Sequence, residues 1–384
     1  MTRKFTTRSA IAALLSTTVM TTAWADDNDA YLDQLGDNNT ALITQSGDAN
    51  DAGSTVHAMT QDGDNNDLDI LQTGNGNAVG LKNGGNQNEV DQIGDGNVAS
   101  VEQLTDDNFV NEIQQNAQTA TGTNTLSIVQ TSTNAAYAPG TPSGLLSGFG
   151  SIVSSVSQTN TGGADNSVTV YQDANDGSTR YDRHRIGGNL PRNAGTIFRN
   201  SNLNFASNGI VQNGAGNTAD LSQEGSSHLI VLSEQIGDGN TVDLEQIGER
   251  NTIVRVSQDS TGSLVGGNTA TVSQDGFNNG DDGNPFTVGR FAAGTTVVQG
   301  TVTQIGGDND VDYMAVGNDN LFGFYQDGTG NSVGMVTITG NGNETAGYQE
   351  GTDNTITIAP IVGDDNDIGV IQDGTMNMAD IALT

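Results

Sequence analysis

The sequence has no cysteine in 384 residues, only five prolines, and an aromatic content of 5%. Without cysteine no disulfide can staple the chain, although disulfides are the usual reinforcement of small exported domains. Positive charge is scarce too: 12 Lys and Arg stand against 46 Asp and Glu, a net charge of −34. So acidic a chain is not a general nucleic-acid binder and is not drawn to anionic lipid. Nor does any stretch approach the ~20 apolar residues that cross a bilayer as a helix. Neither nucleic acid nor membrane insertion is therefore expected. There are three histidines, His57, His184 and His228, and they lack metal-site spacing. The carboxylates form a periodic pattern rather than a pair in a pocket. No catalytic residue, metal ligand or cofactor is expected, and the chain does not read as an enzyme.

Hydrophobic residues make up only 33%, while 52 residues are glycine. Composition alone would suggest disorder. Order along the chain overrules it.

The N-terminus reads as a secretory signal peptide over residues 1–25. Arg3, Lys4 and Arg8 precede an apolar run from Ala10 to Met20, and Ala23-Trp24-Ala25 ends in a cleavage pattern before Asp26-Asp27. Its removal takes three basic residues and no acidic one, so the remaining 26–384 would carry −37. The expected location is extracellular, at the cell surface.

Beyond it, Asn followed six residues later by Gln occurs 14 times, among them Asn28/Gln34, Asn108/Gln114 and Asn268/Gln274. The clearest such positions are Asn39, Gln45, Asn66, Gln72, Asn97, Gln103, Asn217, Gln223, Asn240, Gln246, Asn320, Gln326, Asn343, Gln349, Asn366 and Gln372. Glycine recurs two residues after the Gln, at Gly36, Gly63, Gly74, Gly94, Gly214, Gly237, Gly248, Gly328, Gly351 and Gly374. In Asn217-Thr-Ala-Asp-Leu-Ser-Gln223 the Asn, two apolar residues and the Gln alternate with polar ones, so they share one face of a β-strand. Seven strand residues and four turn formers make a unit of 11, and two units make a coil of 22. The expected fold is all-β: a parallel β-solenoid of about 12 coils, cross-β in character, with about two strands per 22-residue coil and loop insertions. An antiparallel meander would not bury the same polar residue on every strand. Stacking like on like lets each amide bond the same residue one coil away. Asp220 should then lie over Asp243, and Thr218 over Thr241.

At these residues the chain resembles the curlin repeat family, the subunits of curli amyloid fibres, whose repeat is Gln-x-Gly-x-Gly-Asn-x-Ala-x3-Gln. Gln92-Gly94-Gly96-Asn97-Ala99-Gln103 matches throughout, as does Gln212-Gly214-Gly216-Asn217-Ala219-Gln223. Gln235-Gly237-Gly239-Asn240-Val242-Gln246 differs only in Val for Ala. The resemblance implies a secreted fibre subunit supporting biofilm and adhesion. It also implies two partners beside the chain itself: an outer-membrane curli secretion pore and a fibre nucleator. The first and last units, Asn28–Gln34 and Asn377–Leu383, look like ordinary rungs, and open strand edges template another chain. A homopolymer joined end to end is expected.

The rhythm fails at 131–151, 173–205 and 280–295, which read as loops leaving the rod. The middle one gathers Arg180, Arg183, Arg185, Arg192 and Arg199, either as an electrostatic contact or as a solvated loop. Gln258 follows Gln246 by 12 residues, and a bulge is expected near Val254–Val256. Two other readings stay open. A calcium-stabilised β-roll binding protein could use turns such as Gly363-Asp364-Asp365-Asn366, though its period is nine rather than 11. A monomeric secreted β-solenoid adhesin would need end caps.

Overall fold

The computed structural model describes residues 27–54, 57–80, 90–118, 121–132, 151–174, 184–187, 209–280 and 297–383. The segment 1–25, expected to be a signal peptide, and four of the five clustered arginines lie outside them. Every regular element among the described residues is a strand, and every strand pairing is parallel. The strands form two sheets that face each other across a narrow core.

The alternation that dictates this is visible strand by strand. In Asp67–Thr73, Leu68, Ile70 and Gln72 are buried while Asp67, Asp69 and Thr73 are exposed. In Asn166–Ala174, Asn166, Val168, Val170 and Gln172 are buried. A strand of seven cannot turn without residues that accept positive φ. Each unit supplies two: the glycine after the Gln, and the residue just before the Asn. Asn38, Asn65, Asp107, Asp308, Asp319, Asp353 and Asp365 hold that second position at φ between 54° and 59°. Asp, Asn and Gly tolerate this conformation best. The Asp-Asn and Gly-Asn pairs of the sequence are the consequence.

One coil is thus a strand of the first sheet, a turn, a strand of the second sheet and a turn. The register repeats coil on coil: Gln61 over Gln34, Gln92 over Gln61, and onward to Gln372 over Gln349 in the first sheet. In the second sheet Gln72 lies over Gln45 and the column runs on to Gln274. Asn39, Asn66, Asn97, Asn124, Asn166, Asn217, Asn240, Asn268, Asn309, Asn331, Asn354 and Asn377 each open one strand of the second sheet, so there are 12 coils. At ~4.8 Å per coil the rod is about 60 Å long. Asp220 does pair with Asp243, and Thr218 with Thr241.

The core is aliphatic for most of the rod, with Leu68, Ile70, Ile113, Ile128, Ile186 and Leu221 fully buried. Each such side chain contributes roughly 1.5–3 kcal/mol. Toward the C-terminus it becomes aromatic: Tyr313 stacks on Phe322 at 4.7 Å, with Phe324 beside them. The next coil makes room with small inward residues, Thr345 and Gly347, and a Cβ on Gly347 would meet the Phe324 ring at 3.0 Å.

The phase of several rungs differs from the six-residue spacing. The rung residue after Asn108 is Gln115, which pairs with Gln92 and Gln158; Gln114 points outward. One extra residue separates Asn331 from Ile338 and Asn354 from Ile361, and those isoleucines occupy the rung. The excess residue near Val254 produces no bulge against the preceding coil, because Leu229–Ile236 carries the same excess and pairs at constant register. It is absorbed on the other side, where the Gly300 carbonyl accepts from both the Val254 and Arg255 amides.

The insertions are narrower than the broken rhythm suggests. Strand Asn124–Ser132 continues into the first, and Ser151 is already back in the core. Strand Asn166–Ala174 reaches into the second, and His184-Arg185-Ile186 return to the rod as half a rung, pairing below with Ile152-Val153 and above with Leu229-Ile230. So 173–205 is not one loop. Much of the extra length enters the first sheet at one point, after the first inward apolar residue. Ala52, Val79 and Ile186 each precede such a gap in the strand. That point splits the first sheet into short strands, while Thr40–Ser46, Asp67–Thr73 and Asn166–Ala174 of the second sheet run whole beside it.

Candidate functional site: the inter-coil amide columns

The selected Asn and Gln positions fall into four columns, two per sheet. Asn39, Asn66, Asn97, Asn217 and Asn240 belong to one Asn column, and Asn320, Asn343 and Asn366 to the other. Gln45, Gln72, Gln103, Gln223 and Gln246 form the Gln column of the second sheet; Gln326, Gln349 and Gln372 lie in that of the first.

Each Asn uses its full capacity. The Asn66 backbone amide donates to Asn39 Oδ1 at 2.9 Å, and the Asn97 amide and Nδ2 both donate to Asn66 Oδ1. The Nδ2 group also donates to the carbonyl four residues back and to the glycine carbonyl of the following coil, as Asn309 does to Ile305 and Gly328. The bond pattern repeats at Asn217–Asn240, Asn320–Asn343 and Asn343–Asn366. An amide with four potential partners is satisfied only where another Asn stacks on it.

The Gln columns run with one polarity. Gln Nε2 donates to Oε1 of the Gln on the next coil, at 2.9 Å for Gln45 to Gln72, 2.9 Å for Gln72 to Gln103, and 2.8 Å for Gln326 to Gln349. The same Nε2 reaches a backbone carbonyl of the opposite sheet, as Gln349 does to Ser332. Gln therefore both links coils and closes each coil. In the second sheet the column weakens before it stops. Gln223 to Gln246 is 3.3 Å and Gln246 to Gln274 is 3.5 Å, and the next residue in line is Ala315. Gln274 Nε2 is left buried with no partner.

The ten glycines hold positive φ throughout, from 84° at Gly94 to 140° at Gly214. Gly328 shows why. A Cβ there would overlap the carbonyl oxygen of Gly351, and one on Gly351 would overlap that of Gly374. Gly36, Gly63, Gly214 and Gly248 meet the glycine carbonyl of the following coil in the same way, Gly94 meets Ala117, and Gly74 and Gly237 meet turn atoms near Thr105 and Ser260. Gly374, in the last described coil, meets only Asn377 Nδ2 at 3.4 Å.

Two features were not visible in the spacing. The first is a turn column. The Asp64 carboxylate accepts the Asp37 amide at 2.6 Å, Asp95 accepts that of Asp64 at 2.8 Å, and Asp238 accepts that of Ala215. Its sequence signal is an Asp or Asn three residues after the rung Gln. The second is His184. It stands directly beneath His228 in the Asn column of the first sheet, the rings parallel at 5.0 Å. His228 and Asn251 backbone amides donate to the Nδ1 atoms, and the Nε2 groups donate to the carbonyls of Asp173 and Glu224. Burial lowers His184 to about 4 and, with His184 adding repulsion, His228 to about 3. The imidazoles are neutral substitutes for amides.

Outside the core, stacked carboxylates are held above their usual range. Burial, then Asp29, raises Asp51 to about 6; burial, then Asp220, raises Asp243. Among the described residues no three His, Asp or Glu side chains converge as a metal site.

Residues 25–53 match the curlin associated repeat family. The chain carries a curlin repeat. That repeat covers the first coil and the start of the second, where Asn28, Gln34, Asn39 and Gln45 lie. Curlin repeats make up structural fibre subunits rather than enzymes. No curated protein matches the chain.

Proposed function

We propose that this chain is a secreted structural subunit that polymerises into extracellular curli-like amyloid fibres, supporting biofilm matrix and adhesion. The observation that carries the reading is the polarity of the columns. Each coil presents the same Gln Nε2 donors and Asn Oδ1 acceptors upward, and the same Gln Oε1 acceptors and Asn amide donors downward. In the last described coil Gln372 accepts from Gln349 and has no further Gln to donate to; in the first, Gln34 donates to Gln61 and has none below it. A second copy placed on top would set Gln372 beneath Gln34, Asn366 beneath Asn28 and Asn377 beneath Asn39, all in one register. The stack is heterologous and does not close, so it grows as a filament. An unpaired sheet edge of this length favours such addition. By resemblance, a nucleator would supply the first edge and an outer-membrane pore the exported chain.

The test is to incubate the purified chain and record fibre diffraction and a thioflavin time course. Oriented fibres with a meridional spacing of ~4.8 Å and acceleration by preformed seeds are expected. A chain that stays monomeric with seeds and salt would overturn the reading.

A further inference from the structure

The sequence contains Tyr-Gln followed by an acid three times: Tyr171-Gln-Asp173, Tyr325-Gln-Asp327 and Tyr348-Gln-Glu350. In each the Gln is a rung residue pointing in, so the tyrosine and the acid both point out. Tyr325 and Tyr348 are in register on adjacent coils. Their rings lie parallel, 6° between planes and 5.1 Å between centroids. The Tyr348 hydroxyl donates to Glu350 at 2.8 Å and that of Tyr325 to Asp327 at 3.4 Å. Both rings are partly exposed. The column holds only these two, since Thr303 lies below and Ile371 above. Tyr171 has the same hydroxyl–carboxylate bond, to Asp173 at 3.4 Å, but its register neighbours are Val129 and Ser222.

We infer that Tyr325 and Tyr348 form a built site for oxidative cross-linking to dityrosine, a covalent staple between two successive coils. The co-reactant is a peroxide acting through a one-electron oxidant of the haem-peroxidase class. Each phenol gives up one electron to the oxidant and its hydroxyl proton to the adjacent carboxylate. The two phenoxyl radicals join through one new bond between ring carbons ortho to oxygen. The hydrogens on those carbons shift to the phenol oxygens as the rings regain aromaticity. In sum the pair loses two electrons and two protons, which reduce one peroxide to two waters.

The carboxylates matter because the phenols do not ionise readily. The hydrogen bond to Glu350, with burial, pushes Tyr348 up to about 12; burial, with Asp327, raises Tyr325. A protonated phenol is oxidised more easily when a base beside it takes the proton. In-register stacking supplies the rest, because two radicals held in contact couple faster than either meets another chain. The inference rests on the fold alone and holds whether or not copies polymerise.

The experiment treats the dilute full-length chain with a haem peroxidase and limiting hydrogen peroxide. Dityrosine fluorescence is followed, and linked peptides are mapped by mass spectrometry. The expected product joins Tyr325 to Tyr348 within one chain, short by two hydrogens, about tenfold or more over any other tyrosine pair. Y348F and Y325F should each remove it, and Glu350→Gln should slow its formation several-fold. Tyr171 is the internal control: with Val129 and Ser222 as its register neighbours, it should be oxidised without a link to an adjacent coil. Links scattered without preference among the exposed tyrosines would overturn the proposal. So would oxidation of Tyr171 that leaves Tyr325 and Tyr348 unlinked in the unsubstituted chain, a result that needs no variant to fold.

Discussion

Up to Gln274 the second sheet ends each strand on a buried Gln; beyond it, Ala315, Ile338 and Ile361 take that place. The first sheet shows the reverse contrast. Its early strands are broken by insertions, while Leu321–Thr329, Glu344–Thr352 and Asp367–Thr375 run unbroken with their Gln rungs intact. So the rod closes its coils in two ways. An amide column contributes directed bonds and depends on like neighbours. An apolar column contributes burial, helped by the Tyr313, Phe322 and Phe324 cluster. The two differ in what they specify. Apolar contacts tolerate a slip along the strand, whereas stacked amides do not. The register shift in the second sheet falls between Val311 and Tyr313, where the Gln column has gone. The junction itself is the weak point, with Gln274 Nε2 unpaired beneath Ala315.

The largest effect should come from truncating an intact column. Gln349 accepts from Gln326 and donates to Gln372, Ser332 and Asn354. Gln349→Ala removes these bonds, leaves buried acceptors unpaired and opens a cavity, at a cost of about 4 kcal/mol. Gln274→Leu removes an orphan donor and only the long 3.5 Å bond from Gln246 at similar volume, and should be neutral or stabilising within about 1 kcal/mol. Urea denaturation of the two variants compares them directly. Equal losses would mean that the amide columns are not what distinguishes the two regions.

Much of this was legible because the period is short and the rung residues are of one kind. Alternation placed Asn217, Ala219, Leu221 and Gln223 on one face, and stacking units two apart placed Asp220 beneath Asp243. What stayed hidden is what only a neighbouring coil decides. Between Gln114 and Gln115 the spacing favours the first, but an extra residue after Val110 shifts the phase and burial selects the second. His184 was obscured because the residues around it do not repeat, and its column partner His228 lies 44 residues away. The turn carboxylates read as mere surface charge until the stacking shows which amide each one meets.

His184 and His228 interrupt an Asn column much as Ala315 interrupts the Gln column, and this sets up a second, smaller effect. Both rings are neutral in the fold, with values lowered to about 4 and about 3 from the usual 6.5, and the unfolded chain protonates them near 6.5. Their contribution is therefore complete above 6.5 and is lost as pH falls toward the folded values. Each ring costs about 1.4 kcal/mol per pH unit in that window, so one unit below 6.5 the pair costs about 2–3 kcal/mol. Local opening should centre on the coils of His184 and His228, read by hydrogen exchange between pH 6.5 and 5. The double variant His184→Asn, His228→Asn should flatten that dependence. Coils beyond Asn309 carry no such pair and should show none of it. Acid-induced opening that spreads evenly over both regions would refute this assignment.

The smallest effect lies on the outer face. Asp243 sits over Asp220 and is held above the usual carboxylate range first by burial and then by that neighbour. The equivalent position in the C-terminal region pairs Asp380 with Thr357, so like charges do not meet there. A raised carboxylate destabilises the fold while it is charged, and the penalty is relieved as pH falls through its folded value. Asp243→Asn should mimic that relief at neutral pH, gaining less than about 1 kcal/mol because the pair is partly solvated. Asp380→Asn should change nothing beyond a few tenths of a kcal/mol. Screening separates charge from burial. Exposed charges interact over ~10 Å in 0.1 M salt and ~3 Å in 1 M, so the part of the gain from Asp243→Asn that comes from Asp220 should fade in high salt, while the larger part from burial stays. Denaturation midpoints at the two ionic strengths decide it: a gain undiminished in 1 M salt assigns the whole penalty to desolvation of one carboxylate and none to repulsion along the column.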